Sequence, residues 1–139
     1  MFRDMRSIDA AAEAALSTAT ADYLTRAIPG GEYLAWVAED PKHTVIGGAG
    51  AQLRPLVPRP HPDGKGVELG PEAIVLSVYV EREWRRKGVG ELLMRELLDV
   101  LKQRNIRRVV LHASDDGRRI YERLGFQQTN EMRLDIPWR

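Results

Sequence analysis

The stretch that decides the fold runs from Val75 to Met94 and reads VLSVYVEREWRRKGVGELLM. A β-branched, apolar run at its start predicts a strand, and the pattern after the basic segment predicts a helix. Between them lie Gly88 and Gly90, which carry no Cβ and let a ligand approach the backbone closely. Amides at a helix start, where the macrodipole is positive, suit an anion such as a pyrophosphate.

The spacing in this segment excludes two common phosphate loops. A Walker A loop has a lysine and a Ser or Thr after its second glycine, whereas Lys87 precedes both glycines here. A dinucleotide fingerprint would need a third glycine at the position of Leu93. What remains is Arg85-x-x-Gly88-x-Gly90, a pattern that a basic helix start with a glycine turn would also produce.

Composition predicts one ordinary globular domain over residues 1–139. The chain is 43% hydrophobic and 29% charged, values typical of globular proteins, and its length allows a sizeable core. A formal net charge of +1 gives no global basic field for nucleic acid. The positive charge is local, at Arg82, Arg85, Arg86 and Lys87.

Several classes of site are excluded or disfavoured. The absence of cysteine excludes disulfides and thiolate catalysis in this chain. The histidines, His43, His61 and His112, lack metal-ligand spacing, so no metal is expected. No apolar run has the length of a membrane span and the start lacks a signal-peptide layout, so we expect a cytoplasmic protein that does not bind a membrane.

The first half of the chain is predicted to be a helix followed by a hairpin. Ser7–Ile28 is rich in alanine, with Ser7 or Asp9 as N-cap and one apolar packing face. Tyr33–Glu39 and Thr44–Leu53 form an antiparallel hairpin, whose second strand contains glycines that indicate a bulge or a close backbone approach. Pro55–Pro71 follows as a long, proline-rich loop.

The second half is predicted to form a parallel crossover. Ile74–Val80, nearly continuous in apolar residues, is expected to be buried on both faces. The helix Val89–Arg104, ended by Asn105, leads to the strand Arg107–His112 in a right-handed connection. The buried side of that helix should comprise Val89, Leu92, Leu93, Leu97, Val100 and Leu101. A short helix over Asp115–Leu124 and a final strand over Gln128–Ile136 complete the chain.

Tyr121-Glu122-x-Leu124-Gly125-Phe126, which follows the Arg85-x-x-Gly88-x-Gly90 unit, resembles the second core motif of the GNAT superfamily of acyl-CoA N-acyltransferases. The resemblance is clearest from Ala73 to Ile136 and implies an α/β (α+β) fold. Its mixed, mostly antiparallel sheet would be flanked by helices, with a central parallel strand pair splayed around the cofactor. Met1–Met5 leads almost directly into the first helix, so the family's first strand and much of its first helix are expected to be absent.

The resemblance implies an N-acetyltransferase that moves an acetyl group from acetyl-CoA to a primary amine of a small molecule or peptide. Backbone amides of Arg86 to Gly90 would hold the pyrophosphate, an amide at Val78 or Val80 would polarise the thioester, and Tyr121 would protonate the departing thiolate. Ser114 stands where the family often has Asn. The implied cofactor-binding residues are Val78, Tyr79, Val80, Arg85, Arg86, Lys87, Gly88, Val89, Gly90, Ser114, Gly117 and Tyr121.

Several questions stay open at this point. The candidates for the general base are Glu72, Tyr79, Glu81 and His112. The acceptor is unspecified: the Pro55–Pro71 loop, His61 and the first helix are candidates to shape its pocket, and Glu13, Asp22 and Glu32 are candidates to make it acidic. A homodimer is one option for the oligomeric state.

Two other functions remain as alternatives. The first is a non-catalytic acyl-CoA sensor, which would bind the cofactor without turnover. The second is a nucleic-acid module using Arg82–Lys87, for which Trp84 is the sole stacking aromatic near the basic cluster.

Overall fold

The structure is a computed structural model that describes residues 8–137. Its elements in chain order are α1 (Ala10–Ala27), β1 (Tyr33–Glu39), β2 (Val45–Arg54), β3 (Arg59–Pro60), β4 (Val67–Glu68), β5 (Glu72–Val80), α2 (Val89–Gln103), β6 (Val109–Val110) and α3 (Arg118–Arg123). A 3₁₀ turn, Arg82–Trp84, lies between β5 and α2. Asp9 is the N-cap of α1, where its Oδ1 accepts a hydrogen bond of 2.7 Å from the amide of Ala12. The predictions that involve Ser7 and Met1–Met5 fall outside the described residues.

A mixed sheet with the strand order β1-β2-β5-β6 organises the molecule. The β1–β2 and β2–β5 pairs are antiparallel, whereas β5 and β6 are parallel and pair Ala73 with Val109 and Ile74 with Val110. α2 makes the crossover between these two strands. The predicted mixed, mostly antiparallel sheet with one parallel pair is therefore confirmed. β3 and β4 form a separate small hairpin within the proline-rich loop.

The core lies between one face of the sheet and α2. Its buried members are Ala49, Ala51, Ala73, Val75, Leu93, Met94, Leu97 and Leu101. The prediction for Leu92 was wrong, since this side chain is 58% exposed, while Met94 is fully buried. The buried stripe of α2 follows the 93, 94, 97, 101 spacing of one helical face, and Leu92 lies beside that stripe.

The first helix covers less of the sheet than its sequence predicts. Ala27 is the buried residue of α1 in the described part of the chain, and Leu16 remains 38% exposed. The helix is rich in alanine, which removes little area from water when it packs. Near the C-terminal end, Tyr23 contacts Tyr33 of β1 edge-on, with ring centroids 6.1 Å apart.

The central strand is buried on both faces only in its first half, contrary to prediction. Glu72, Ala73 and Val75 are buried, but Leu76 is 37% exposed and the residues from Ser77 to Val80 are half-buried. Of the predicted strand Arg107–His112, only the two residues of β6 are in strand conformation. Within residues 8–137, therefore, β5 has no strand partner on its β6 side beyond Ile74.

The C-terminal segment also departs from prediction. The helix predicted over Asp115–Leu124 starts only at Arg118, and Gln128–Ile136 is irregular where a strand was expected. The alternating apolar side chains Met132, Leu134 and Ile136 are all largely exposed. An apolar alternation forms a strand only when a neighbouring edge accepts its hydrogen bonds, and no such pairing forms within the described range. Among residues 8–137, no helix combines the length and apolarity needed to cross a membrane.

Candidate active site

The glycine turn before α2 presents an open backbone surface. Gly88 is the N-cap in the left-handed conformation, with φ 83° and ψ 4°, and its carbonyl accepts the first helical hydrogen bond, from Leu92, at 3.0 Å. A Cβ added at Gly88 would meet nothing within 4 Å, and one at Gly90 would meet only Val80 Cγ2, at 3.7 Å. The first amides of a helix have no intrahelical acceptor, so this turn combines free space, N–H donors and the positive end of a dipole.

The basic side chains of the turn have different environments. Arg85 Nε donates a hydrogen bond of 2.9 Å to the carbonyl oxygen of Val80, and Lys87 Nζ lies 5.2 Å from the centroid of the Trp84 ring. Arg86 is exposed and has φ 61°. The Lys87 ammonium is therefore directed to the indole face, a cation–π contact, while Arg85 braces the end of β5.

A cleft of about 560 Å³ lies where β5 and β6 separate. One wall is the second half of β5, another is the glycine turn, and a third is the segment that leads into α3. Its lining comprises Val78, Tyr79, Val80, Trp84, Arg85, Arg86, Gly88, Val89, Gly90, Glu91, Ser114, Asp116, Gly117, Ile120 and Tyr121. The cleft thus brings together all the residues predicted to bind the cofactor except Lys87.

Tyr121 forms the α3 side of the cleft. Burial raises the pKa of its phenol above the usual 10.0, so the hydroxyl keeps its proton throughout the neutral range. The ring packs edge-on against Phe126 at 6.0 Å. A Cβ at Gly117 would lie 2.7 Å from Tyr121 Cε2, so the absence of a side chain at Gly117 makes room for the ring. Ser114 Oγ accepts a hydrogen bond of 3.1 Å from the Gly117 amide and fixes the turn.

Sequence reasoning missed part of the lining, namely Trp84, Glu91, Asp116 and Ile120. Helical spacing could have found Ile120, because it neighbours Tyr121 and lies three positions after Gly117 on one face of a helical turn. The cation–π contact that orients Trp84 gave no signal in the sequence.

A bulge in β5 turns backbone amides toward the cleft. β2 pairs Gly50 with Leu76 but Gly48 with Tyr79, which leaves one extra residue on β5. Beyond the bulge, the Glu81 amide donates 2.7 Å to the Ile46 carbonyl on the β2 side. Because amides alternate along a strand, those of Val80 and Val78 point the other way, to the side where β6 has ended.

The four candidates for the general base are distributed over the molecule, and Glu81 lies between the end of β5 and the 3₁₀ turn. Tyr79 lines the cleft, and His112 lines an adjoining cavity of about 330 Å³ between β6 and the chain after α3. Glu72 lies at the opposite end of β5, is 3% exposed and forms ion pairs with Arg54 and, at 3.9 Å, with Arg108. Glu72 therefore has a structural environment remote from the cleft.

The remaining polar candidates do not converge on one site. Glu13 and Asp22 are separated by nine positions on α1, about 14 Å along a helix, so with Glu32 they form no acidic cluster. His61 lies between Asp63 at 2.8 Å and Arg107 at 3.0 Å. Within the described part of the chain, no group of three or more His, Asp or Glu side chains is arranged to hold a metal ion.

Comparison with known proteins identifies acetyltransferases that are similar to this chain. The chain is similar to a GCN5-related N-acetyltransferase from Ralstonia eutropha, with 30% identity, 98% of this chain and 85% of that chain covered, and a TM-score of 0.78. It is also similar to a predicted acetyltransferase from Clostridium acetobutylicum whose crystal structure includes acetyl-CoA. That match has 26% identity and a TM-score of 0.69, and it covers 84% of this chain and 71% of the other.

A curated relative and a family model complete the comparison. The relative is glucosamine 6-phosphate N-acetyltransferase from Trypanosoma brucei brucei, 27% identical over 97 residues, which are 69% of this chain and 60% of that protein's length. The model of the acetyltransferase (GNAT) family matches residues 2–126, nearly the whole chain. The chain therefore belongs to the GNAT family of acetyltransferases.

Proposed function

We propose that this chain transfers an acetyl group from acetyl-CoA to a primary amine by direct attack, within a single domain over residues 1–139. The observation that carries the proposal is the cleft itself. It joins an anion-binding helix start, a row of outward-facing amides on β5 and a protonated tyrosine in one cavity of about 560 Å³. Each of the three has a separate task in an acyl transfer from a nucleotide-bearing thioester.

The glycine turn would hold the pyrophosphate of the co-substrate. Its open surface at Gly88 and Gly90 lets two phosphate groups reach the backbone amides of Arg86 to Gly90. Arg85 and Arg86 both line the cleft and are exposed, and Arg85 also donates from Nε to the Val80 carbonyl oxygen. The pantetheine arm would then run between β5 and Ser114, Gly117 and Ile120 of the opposite wall.

The remaining residues would act on the thioester, which supplies the activated acetyl group. The amide of Val78 or Val80 donates to the carbonyl oxygen and stabilises the negative charge that develops there. The acceptor nitrogen forms a bond to the carbonyl carbon, and the carbon–sulfur bond breaks. Tyr121 gives its proton to the sulfur, and the proton lost by the amine returns through solvent to the phenolate. A phenol and a thiol have comparable pKa values, so this transfer is nearly balanced.

The acceptor is proposed to be a small primary amine, and glucosamine 6-phosphate is the first one to test. The support for this choice is the relative from Trypanosoma brucei brucei that carries this substrate in its name, at 27% identity. Other amino sugars, polyamines and peptide N-termini form the rest of the panel.

The experiment is calorimetric titration with acetyl-CoA, followed by assay of thiol release with each amine. Gly88→Ala/Gly90→Ala should weaken acetyl-CoA binding by about tenfold or more. Alanine is less favourable than glycine by about 1–2 kcal/mol in the left-handed conformation of Gly88. A penalty of about 1.4 kcal/mol for adopting the conformation that binds the cofactor corresponds to a tenfold loss of affinity. Tyr121→Phe should leave the dissociation constant unchanged and lower turnover by roughly 10²- to 10⁴-fold.

The chain contains a matched control for the glycine pair. Gly64 and Gly66 have the same spacing, Gly64 has φ 72°, and a Cβ at either position would meet nothing within 4 Å. Gly64→Ala/Gly66→Ala should therefore lose comparable stability but keep its affinity for acetyl-CoA. Equal loss of affinity in both double variants would refute the assignment of the glycine turn. Tight binding without turnover on any amine would refute the enzyme and leave the acyl-CoA sensor.

A further inference from the structure

A buried tyrosine reaches the bulge of β5 from two strands away. Tyr33 opens β1 and is 7% exposed; burial raises the pKa of its phenol, and the side chain of Ser77, within hydrogen-bonding reach, opposes that rise. Ser77 is one of the two β5 residues between the pairs Gly50–Leu76 and Gly48–Tyr79, and it has φ 58°. A left-handed conformation is unfavourable for a non-glycine residue, and such residues persist where their surroundings hold them in place.

A glycine on the intervening strand makes this contact sterically possible. β2 lies between β1 and β5, and a Cβ at Gly50 would lie 1.8 Å from Tyr33 Oη and 2.3 Å from its Cζ. The ring therefore crosses β2 directly above Gly50, in space that any other residue would fill. The Tyr23 ring packs edge-on against the Tyr33 ring, and the Tyr23 hydroxyl accepts a hydrogen bond of 3.0 Å from Gln52.

The contact acts on the peptide that carries the Val78 amide. That peptide joins Ser77 to Val78, so its plane is set by the backbone angles of these two residues. The extra residue of the bulge gives the Val78 amide its direction toward the cleft, since regular alternation from the Ala73 amide, which donates to Arg108 at 3.0 Å, would send the Ser77 amide there instead.

We propose that Tyr33 is a positioning residue: through its hydrogen bond to Ser77 it holds the bulge so that the Val78 amide faces the thioester carbonyl. The inference rests on the proposed function, because it assigns a support to an amide of that mechanism. A donor that is already oriented needs no reorganisation during the reaction, which is the source of its stabilising effect. Tyr33 itself touches no reacting atom.

Kinetics of three hydroxyl deletions test this role. Removing a whole oxyanion donor costs about 10²–10³ in kcat, so a misoriented donor should cost roughly tenfold. We expect that loss in Tyr33→Phe and in Ser77→Ala, with the dissociation constant for acetyl-CoA within about twofold of wild type, because the glycine turn is untouched. The double variant should be no slower than either single one, since both remove the same contact. Tyr23→Phe removes a neighbouring hydroxyl and should keep wild-type kcat.

A measurement that needs no turnover separates this proposal from the proposed function. The NMR order parameter of the Val78 N–H should fall in Tyr33→Phe from about 0.85 toward about 0.6, the range that separates rigid from flexible backbone, and stay unchanged in Tyr23→Phe. An unchanged Val78 order parameter, a kcat within about twofold of wild type or multiplicative losses in the double variant would overturn the role of Tyr33. A response of the Val78 amide in a protein that acetylates no amine would support the positioning and count against the proposed function alone.

Discussion

Gly50→Ala tests whether the crossing of Tyr33 over β2 is as tight as the structure indicates. The new methyl group would lie 1.8 Å from Tyr33 Oη, 2.3 Å from Cζ and 2.7 Å from Cε1. Ordinary contacts begin near 3.4 Å, so the ring must move by more than about 1 Å in a densely packed interior. Since all three distances involve the same rigid ring, the ring must leave its position above Gly50.

The expected cost follows from the interactions that are lost. Overpacking of this kind costs about 1–3 kcal/mol, and separation from Ser77 removes the proposed hydrogen bond, worth about 0.5–1.5 kcal/mol. The free energy of unfolding should therefore fall by roughly 2–4 kcal/mol. With a urea slope of about 2 kcal/mol/M, the unfolding midpoint drops by about 1–2 M, a shift that fluorescence of the tryptophans can follow.

The background variant Tyr33→Leu provides the decisive comparison. Leucine keeps the base of the side chain apolar but lacks the Oη, Cζ and Cε1 atoms that the methyl group would meet. In this background Gly50→Ala should become neutral or stabilising by about 0.5–1 kcal/mol, the usual gain when alanine replaces glycine within a strand. The destabilisation thus disappears or changes sign in the Tyr33→Leu background. Equal destabilisation in both would refute the close approach of Tyr33 to Gly50.

Three further predictions concern other parts of the molecule. Leu97→Ala should lower the free energy of unfolding by about 2–5 kcal/mol, whereas Leu92→Ala should lower it by less than about 1 kcal/mol because Leu92 is 58% exposed. Urea unfolding distinguishes the two variants, and equal losses would contradict the observed buried face of α2. Arg54→Met should lower the free energy of unfolding by about 1–3 kcal/mol, which is below the range for a fully buried ion pair because Arg54 is 47% exposed. Adding Glu72→Gln should restore part of that loss, and a double variant less stable than Arg54→Met would contradict the pairing. Burial raises the pKa of Tyr121 above 10.0, so the folded state keeps a proton that the unfolded state loses, and stability should decline as the pH rises past that value. Tyr121→Phe should flatten this alkaline decline in stability, and an unchanged slope would show that the phenol titrates normally.

Features set by local chain chemistry were predictable from the sequence. Gly88 and Asn105 have positive φ at the two ends of α2, as a glycine turn and a helix stop require. The parallel crossover through α2 also formed as predicted, because strand–helix–strand connections have few alternatives. Tyr121 likewise lies in the cleft with the glycine turn, although its placement was implied by a motif and not by periodicity.

Features set by contacts between distant elements were not predictable. The alternation in Gln128–Ile136 is typical of a strand, yet pairing depends on a neighbouring edge that the segment itself does not encode. The contact of Tyr33 with Ser77 joins the first and third strands of the sheet across Gly50. The sequence showed a close approach somewhere among the glycines of β2 but not which side chain would use it.

The half-exposed part of β5 shows that an apolar strand can border a cleft and need not be buried between two strands. Its residues from Leu76 to Val80 are as apolar as those of a strand buried on both faces, but the cleft occupies the place of the next strand. The strand is consequently held from the β2 side, where Gly47 comes so close that a Cβ would lie 2.7 Å from the Tyr79 carbonyl oxygen. Rigidity of the amides that face the cleft must then come from β2 and from Tyr33 behind it. Changes on that hidden side should alter catalysis without touching the cleft.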